Sequence, residues 1–318
     1  MRLPAAVLIA VMLNTPPVVA APPAPSTAFS QPEHILRWIN NYRQKPEPDR
    51  LPEAVKAMTA LGVLRELDSA GVYVGFTAGV LGANPAKAER LVTAMFPMRP
   101  EDQVLIVRAI AYSDLPGWKE LLRKFVERMP ARKVLIERHL FGQAPTLMEL
   151  PLDASPAALD ALWGYYFATG SAKPIRRILT GLPWSREPNN VERLTTGSMI
   201  KLTLAVNATR DQELLWILKD EVQRQPREIA GPLRQVIEAA ETYETGKIRK
   251  QAMAAIDEIK RKGSADFRNW NWWGQAGTTA LALGCVGAAA LGQVQFGLPC
   301  VIGGALSTAA VKYLGPQE

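Results

Sequence analysis

Again and again along the chain, a polar residue and a proline stand at the head of an apolar, helix-periodic run. In "NPAKAERLVTAMF", Asn84 stands where an N-cap would, and Pro85 takes the first helical position, where a missing N–H costs nothing. "SPAALDALWGYYFATG" repeats the device with Ser155 and Pro156 and closes on Gly170. "TRDQELLWILKDEVQRQ" sets Thr209 and Gln212 at capping-box spacing ahead of Leu214, Leu215, Ile217, Leu218 and Val222. Alternating Val/Ile/Thr runs closed by Asn-Gly or Asp-Gly are nearly absent, so sheets lose their usual signal. The pattern predicts an all-α chain, with about twelve helices of mostly ~10–18 residues between His34 and Lys262.

Two stretches echo each other. "VGFTAGVLGANPAKAERLVTAMFP" (74–97) and "WGYYFATGSAKPIRRILTGLP" (163–183) both run from an aromatic helix through a Gly-containing turn to a second helix and a further proline. A long helix and a Trp-bearing amphipathic helix follow each. The expected arrangement is a first repeat over 33–150 and a second over 151–246. Helix pairs would stack right-handedly in the manner of TPR or HEAT arrays, by analogy, leaving a concave face. The tetratricopeptide period itself does not fit, and chance likeness of two amphipathic stretches is the alternative. From "HILRWINNYRQKPEP" through "LDALWGYYFATG" to "LPCVIGG", the chain resembles members of an uncharacterised exported bacterial α-helical family of unknown function. That resemblance implies no activity.

The N-terminus predicts export. Arg2 precedes an apolar run, Leu3–Leu13, and Val18–Ala21 supplies small residues for cleavage after Ala20, giving a signal peptide over 1–20. The apolar run is far shorter than the ~20 residues that span a bilayer, which disfavours the alternative of an uncleaved anchor. Residues 21–32 are Pro-rich and are expected to form a mobile leader. With 48% apolar residues the remainder has ample material for a core.

The formal charge is +7 and is concentrated. Lys119, Arg123, Lys124, Arg128, Arg132, Lys133 and Arg138 form one basic patch; Lys247, Arg249, Lys250, Lys260, Arg261, Lys262 and Arg268 form another. Basic patches attract anionic lipid, nucleic acid or acidic proteins alike, and export removes nucleic acid as a regular partner.

Catalytic signatures are missing. His34 and His139 are the only histidines, and neither belongs to a His-Glu-x-x-His metal motif, so no metal is expected. His139 ends a basic helix, where the helix dipole would favour its charged form. "TTGSMIK" (Thr195–Lys201) lacks the second glycine of a nucleophile elbow, and Gly246-Lys247 lacks the upstream glycine of a phosphate loop. No cofactor motif appears. The acidic pair Glu101–Asp102 sits where helix starts favour acids, and Glu238–Glu241 is expected to face solvent. A glycosidase-type pair assembled from distant positions would be invisible to this kind of reading.

Trp38, Trp118, Trp163, Trp184 and Trp216 fall singly on apolar faces or turns and are expected to pack inside. Trp184, in the Pro-flanked "LPWSREPNN", is the best of them for an exposed binding aromatic. With Tyr165, Tyr166 and Arg186 it would make a groove.

From Asn269 to Val311 the chain carries no Asp, Glu, Lys, Arg or His. The run breaks at Gly292–Pro299, giving arms Trp272–Gly292, about 31 Å as a helix, and Cys300–Leu314. Ala280, Gly284, Ala288 and Gly292 recur at fourfold spacing, a face that lets helices approach closely in lipid. Trp270, Trp272 and Trp273 stand as an aromatic belt beside Lys260, Arg261, Lys262 and Arg268. The expectation is a basic amphipathic helix and Trp-rich junction over 247–268 and a membrane hairpin over 269–318; the alternative is two Gly/Ala helices buried in a soluble core. Cys285 and Cys300 are the only cysteines. Export permits their pairing, but a regular hairpin would offset them by roughly 10 Å, so both states stay open.

Together these features predict an exported, periplasmic, membrane-associated helical scaffold or binding module for another envelope protein. Anionic lipid would be a second partner. An envelope hydrolase without a motif and a soluble periplasmic binding protein are the alternatives.

Overall fold

A computed structural model describes residues 27–65, 70–187 and 190–242. The stretch expected to be a signal peptide (1–20), most of the expected leader, Gly246-Lys247 and everything assigned to 247–318 lie outside the described residues. That includes Lys260, Arg261, Lys262, Arg268, Trp270, Trp272 and Trp273, the small-residue face Ala280/Gly284/Ala288/Gly292, and Cys285 and Cys300.

Among the described residues the protein is all-α, with twelve α-helices, linking 3-10 turns and no strand. In chain order the helices are α1 (Pro32–Asn41), α2 (Leu51–Leu61), α3 (Gly71–Ala83), α4 (Ala88–Met95), α5 (Gln103–Tyr112), α6 (Trp118–Lys124), α7 (Lys133–Leu140), α8 (Pro156–Thr169), α9 (Ala172–Leu179), α10 (Val191–Ala208), α11 (Gln212–Arg224) and α12 (Arg227–Glu241). Several are shorter than the pattern suggested: α4, α7 and α9 have 8 residues and α6 has 7. Prolines that open 3-10 turns, such as Pro85 and Pro130, take the first turn of what the sequence presents as one longer helix.

The centre is the pair α3–α8. Every residue from Gly71 to Leu81 is buried, so α3 has no solvent face, and the same holds for Ala158–Ala168 of α8. Glycines let the two backbones touch. A Cβ on Gly71 would fall 2.3 Å from the Ala157 carbonyl oxygen, one on Gly75 1.8 Å from that of Ala161, and one on Gly164 2.2 Å from that of Val72. Gly71, Gly75 and Gly79 stand at fourfold spacing and form one glycine stripe down α3. Around this pair, α5 covers α3, α1 and α9 lie on α8, and α10–α12 form a neighbouring group braced by the turn Leu182–Arg186.

Some caps form as expected and others do not. Ser155 Oγ accepts from the Ala157 N–H at 3.1 Å, Pro156 opens α8, and Gly170 closes it at φ 67°. Asn84 caps no helix start. Its Nδ2 donates to the Val80 carbonyl at 2.8 Å and so closes the end of α3. Thr209 likewise turns back, its hydroxyl donating to the Val206 carbonyl at 2.7 Å, and Asp211 is the N-cap of α11. In both cases a short polar side chain had two neighbouring helix ends within reach, and it serves the preceding one. Phe29, inside the supposed leader, is buried and packs edge-on against Trp38 at 5.4 Å. Trp38 also meets Tyr42 at 5.5 Å and Phe76 at 5.1 Å, tying α1 to α3.

Trp163 is a core residue as expected, but Trp216 is 73% exposed. It stands two positions from both Leu214 and Leu218, about 200° around the helix, so burying those leucines turns it outward.

Candidate functional site

The proposed groove does not assemble around one opening. Tyr165 and Tyr166 are buried on α8. Trp184 is half-buried in the 3-10 turn Leu182–Arg186, with the Arg193 guanidinium 5.2 Å above its ring. Arg193 is held in turn by Asp153 at 3.3 Å and Glu187 at 3.6 Å. Arg186 points toward Gly231 of α12. The tyrosines and the Trp184–Arg186 pair therefore have separate surroundings. Gly197 of "TTGSMIK" serves packing: a Cβ there would lie 2.1 Å from the Ser185 nitrogen.

Tyr166 instead reaches a different site. A cleft of about 460 Å³ opens where the turn after α1, the end of α8 and the α10–α11 junction meet. Asn40, Asn41, Gln44, Asn207 and Gln212 line it with side-chain amides, and Arg43, Arg210, Asp211 and Glu213 line it with charges. At its floor, Arg43 donates from Nη2 to Asp211 Oδ2 and from Nη1 to Glu213 Oε2. The same guanidinium lies 4.6 Å over the Tyr166 ring. Asp211 also accepts from the Tyr166 hydroxyl at 2.8 Å. Its other oxygen, Oδ1, accepts from the Glu213 and Leu214 N–H groups at 3.1 Å, which is the cap of α11. One carboxylate thus joins α8, the turn after α1 and the start of α11. Burial, chiefly, holds the Tyr166 hydroxyl far above the ordinary phenol range, and the Asp211 carboxylate adds to this against the opposing Arg43 charge. Tyr166 is therefore a permanent donor.

This lining contains no His, Cys, Ser or Thr, and its two carboxylates share a single guanidinium. Amide side chains offer paired donors and acceptors, the complement of peptide groups or hydroxyls. Among the described residues no group of three or more His, Cys, Asp or Glu is placed to hold a metal ion. No helix there is long and apolar enough to cross a membrane.

Other titratable groups lie elsewhere. Burial, with the nearby Glu101 charge second, pushes the Asp102 carboxyl up, and Asp102 makes no capping bond to α5. Burial would also raise Glu221, but hydrogen bonds from Arg176 at 2.7 Å and Gln225 at 2.8 Å bring it down on balance, joining α9 to α11. His34 meets the Ser30 hydroxyl at 3.3 Å.

His139 reverses the expectation for a helix C-terminus. It is buried against the edge of Tyr112 at 5.7 Å, and burial first, then Arg108 and Arg138, lower its pKa from 6.5 to about 4. The unfolded chain therefore binds a proton there between those values and the fold does not. Stability is full above pH 6.5 and falls as pH drops toward 4, by as much as about 3 kcal/mol. In His139→Phe this part of the acid slope should disappear, read as the urea midpoint at pH 7 against pH 4.5. An unchanged slope would show that His139 titrates normally.

Arg43, Asp211 and Glu213 carry no signal in the sequence that marks them as a site. Arg43 and Asp211 stand 168 positions apart, and neither belongs to a motif. The cluster of amides around Arg43 in "INNYRQK" is the one local trace of the site. No protein-family model, curated protein or solved structure significantly matches the chain.

Proposed function

We propose that the chain is an exported helical binding module that takes an extended polar segment of another envelope protein into its amide-lined cleft. In this reading the apolar C-terminal segment holds the body at a membrane. The carrying observation is the cleft lining: five amide side chains around an Arg43 whose charge is already met by Asp211 and Glu213. Such a surface favours main-chain peptide groups over a free anion or cation. The hydrolase reading draws no support from the cleft, because hydrolysis needs an acid and a base in different states and both carboxylates here serve one guanidinium. The direct packing of α3 on α8, the equivalent helices of the two echoing stretches, supports a two-unit array.

The test is capture of partners from solubilised envelopes by the full chain. Asn41→Trp fills the cleft from an exposed position, and Trp216→Ala alters a different surface. A protein partner lost with Asn41→Trp and kept with Trp216→Ala is expected. If no captured protein depends on Asn41, the cleft is not the binding site. Carbonate extraction tests the membrane part, which release into the soluble fraction would overturn.

A further inference from the structure

The outer face of α7 carries an arrangement that the cleft does not use. Val134 and Phe141 are each 72% exposed. They stand seven residues apart, Phe141 directly after the last turn of α7, with Arg138 to one side of the line between them and Glu137 to the other. Inward, Ile136 and His139 are buried, so α7 is fully committed to the core on one side and still apolar on the other. Arg138 is exposed and makes no salt bridge among the described residues. Exposed Lys133 meets only Glu137, loosely at 3.9 Å, and exposed Arg128 lies over the Phe96 and Phe125 rings at 5.8 and 5.5 Å.

We propose that this face of α7 lies against an anionic lipid surface, with Phe141 and Val134 entering the acyl boundary and Arg138, Lys133 and Arg128 meeting headgroup phosphates. Arg138 flanks the apolar pair, and its aliphatic stem can lie in an apolar layer while its charged head reaches phosphate. The basic excess of residues 119–139 supplies the complementary charge. This rests on the membrane-held part of the proposed function and adds a second, body-borne contact distinct from the C-terminal segment.

The experiment places a photocrosslinker in the full chain, Phe141→p-benzoylphenylalanine, mixed with vesicles of equimolar phosphatidylglycerol and phosphatidylcholine. A phospholipid adduct at position 141 is expected. Adding Arg138→Glu should cut its yield about tenfold or more, since each cation near such a surface contributes about a fivefold preference and reversal removes two such steps. Full yield in phosphatidylcholine alone would overturn the anionic assignment. Adducts only to protein, whether a second copy or another segment of the same chain, would overturn the proposal. So would no adduct while the chain still sediments with vesicles, an outcome that leaves attachment by the C-terminal segment standing. A chain that does not sediment with vesicles at all overturns both.

Discussion

Gly75→Ala should cost about 3 kcal/mol or more, while Gly231→Ala should change stability by no more than about 1 kcal/mol in either direction. Both glycines sit inside helices, where alanine is the better helix former, although Pro232 after Gly231 offsets that gain at the second site. The surroundings separate them. A methyl on Gly75 would fall 1.8 Å from the Ala161 carbonyl oxygen, which belongs to a helix backbone and cannot rotate away. On Gly231 the nearest atom from beyond its own stretch of helix is the Arg186 Nη1 at 4.0 Å, the end of a flexible side chain. Relieving the first clash requires α3 and α8 to part along their length, which loosens the aromatic residues packed beside the seam, Tyr73 and Trp163 among them. Urea midpoints of the two variants should move in opposite directions or differ by a clear margin. Equal midpoints would mean that the backbones do not meet at Gly75.

That seam shows what sequence reasoning can and cannot locate. The all-α class was legible because proline at helix starts and glycine at helix ends act locally, as Ser155, Pro156 and Gly170 show. The fourfold spacing of small residues is also legible, but it stands out only in the uncharged stretch after Asn269, where no charge interrupts it. The same spacing at Gly71, Gly75 and Gly79 sits among Val, Tyr and Phe and reads as ordinary core. Periodicity says that a face is bare; it does not say which helix comes to meet it. Asn84 and Thr209 fail in a related way. Each stands between two helices, and sequence cannot show which end its side chain serves. The cleft was the least legible feature, since its charged residues come from segments joined only by tertiary packing. Trp184 was the better candidate on sequence because an aromatic in a Pro-flanked loop is locally unusual, whereas Arg43 and Asp211 are not.

Arg43→Met should destabilise the fold by about 2 kcal/mol, with most of that loss traceable to Asp211 alone. The guanidinium and the Asp211 carboxylate are 19% and 18% exposed, so removing the cation leaves a carboxylate in a largely dry site. Some solvent reaches both groups, which keeps the cost below the 3–5 kcal/mol of a fully buried pair. Glu213, 76% exposed, can turn to water, and its coupling to Arg43 should be about 0.5 kcal/mol or less. Asp211→Asn is the informative partner because asparagine still caps a helix. It keeps the bonds to the Glu213 and Leu214 N–H groups through Oδ1, but an amide replaces the Oδ2 that accepts from both Arg43 and the Tyr166 hydroxyl, so the cycle is run in a Tyr166→Phe background. A double-mutant cycle of Arg43→Met with Asp211→Asn should therefore return a coupling of about 2 kcal/mol. Tyr166→Phe should cost about 1 kcal/mol, because the lost hydroxyl donates to the same carboxylate. If the Arg43–Asp211 coupling is no larger than that of Arg43 with Glu213, the cluster is an ordinary surface ion pair. The cleft floor would then have no rigid frame, and the amides above it would lose the fixed spacing that recognition of an extended segment requires.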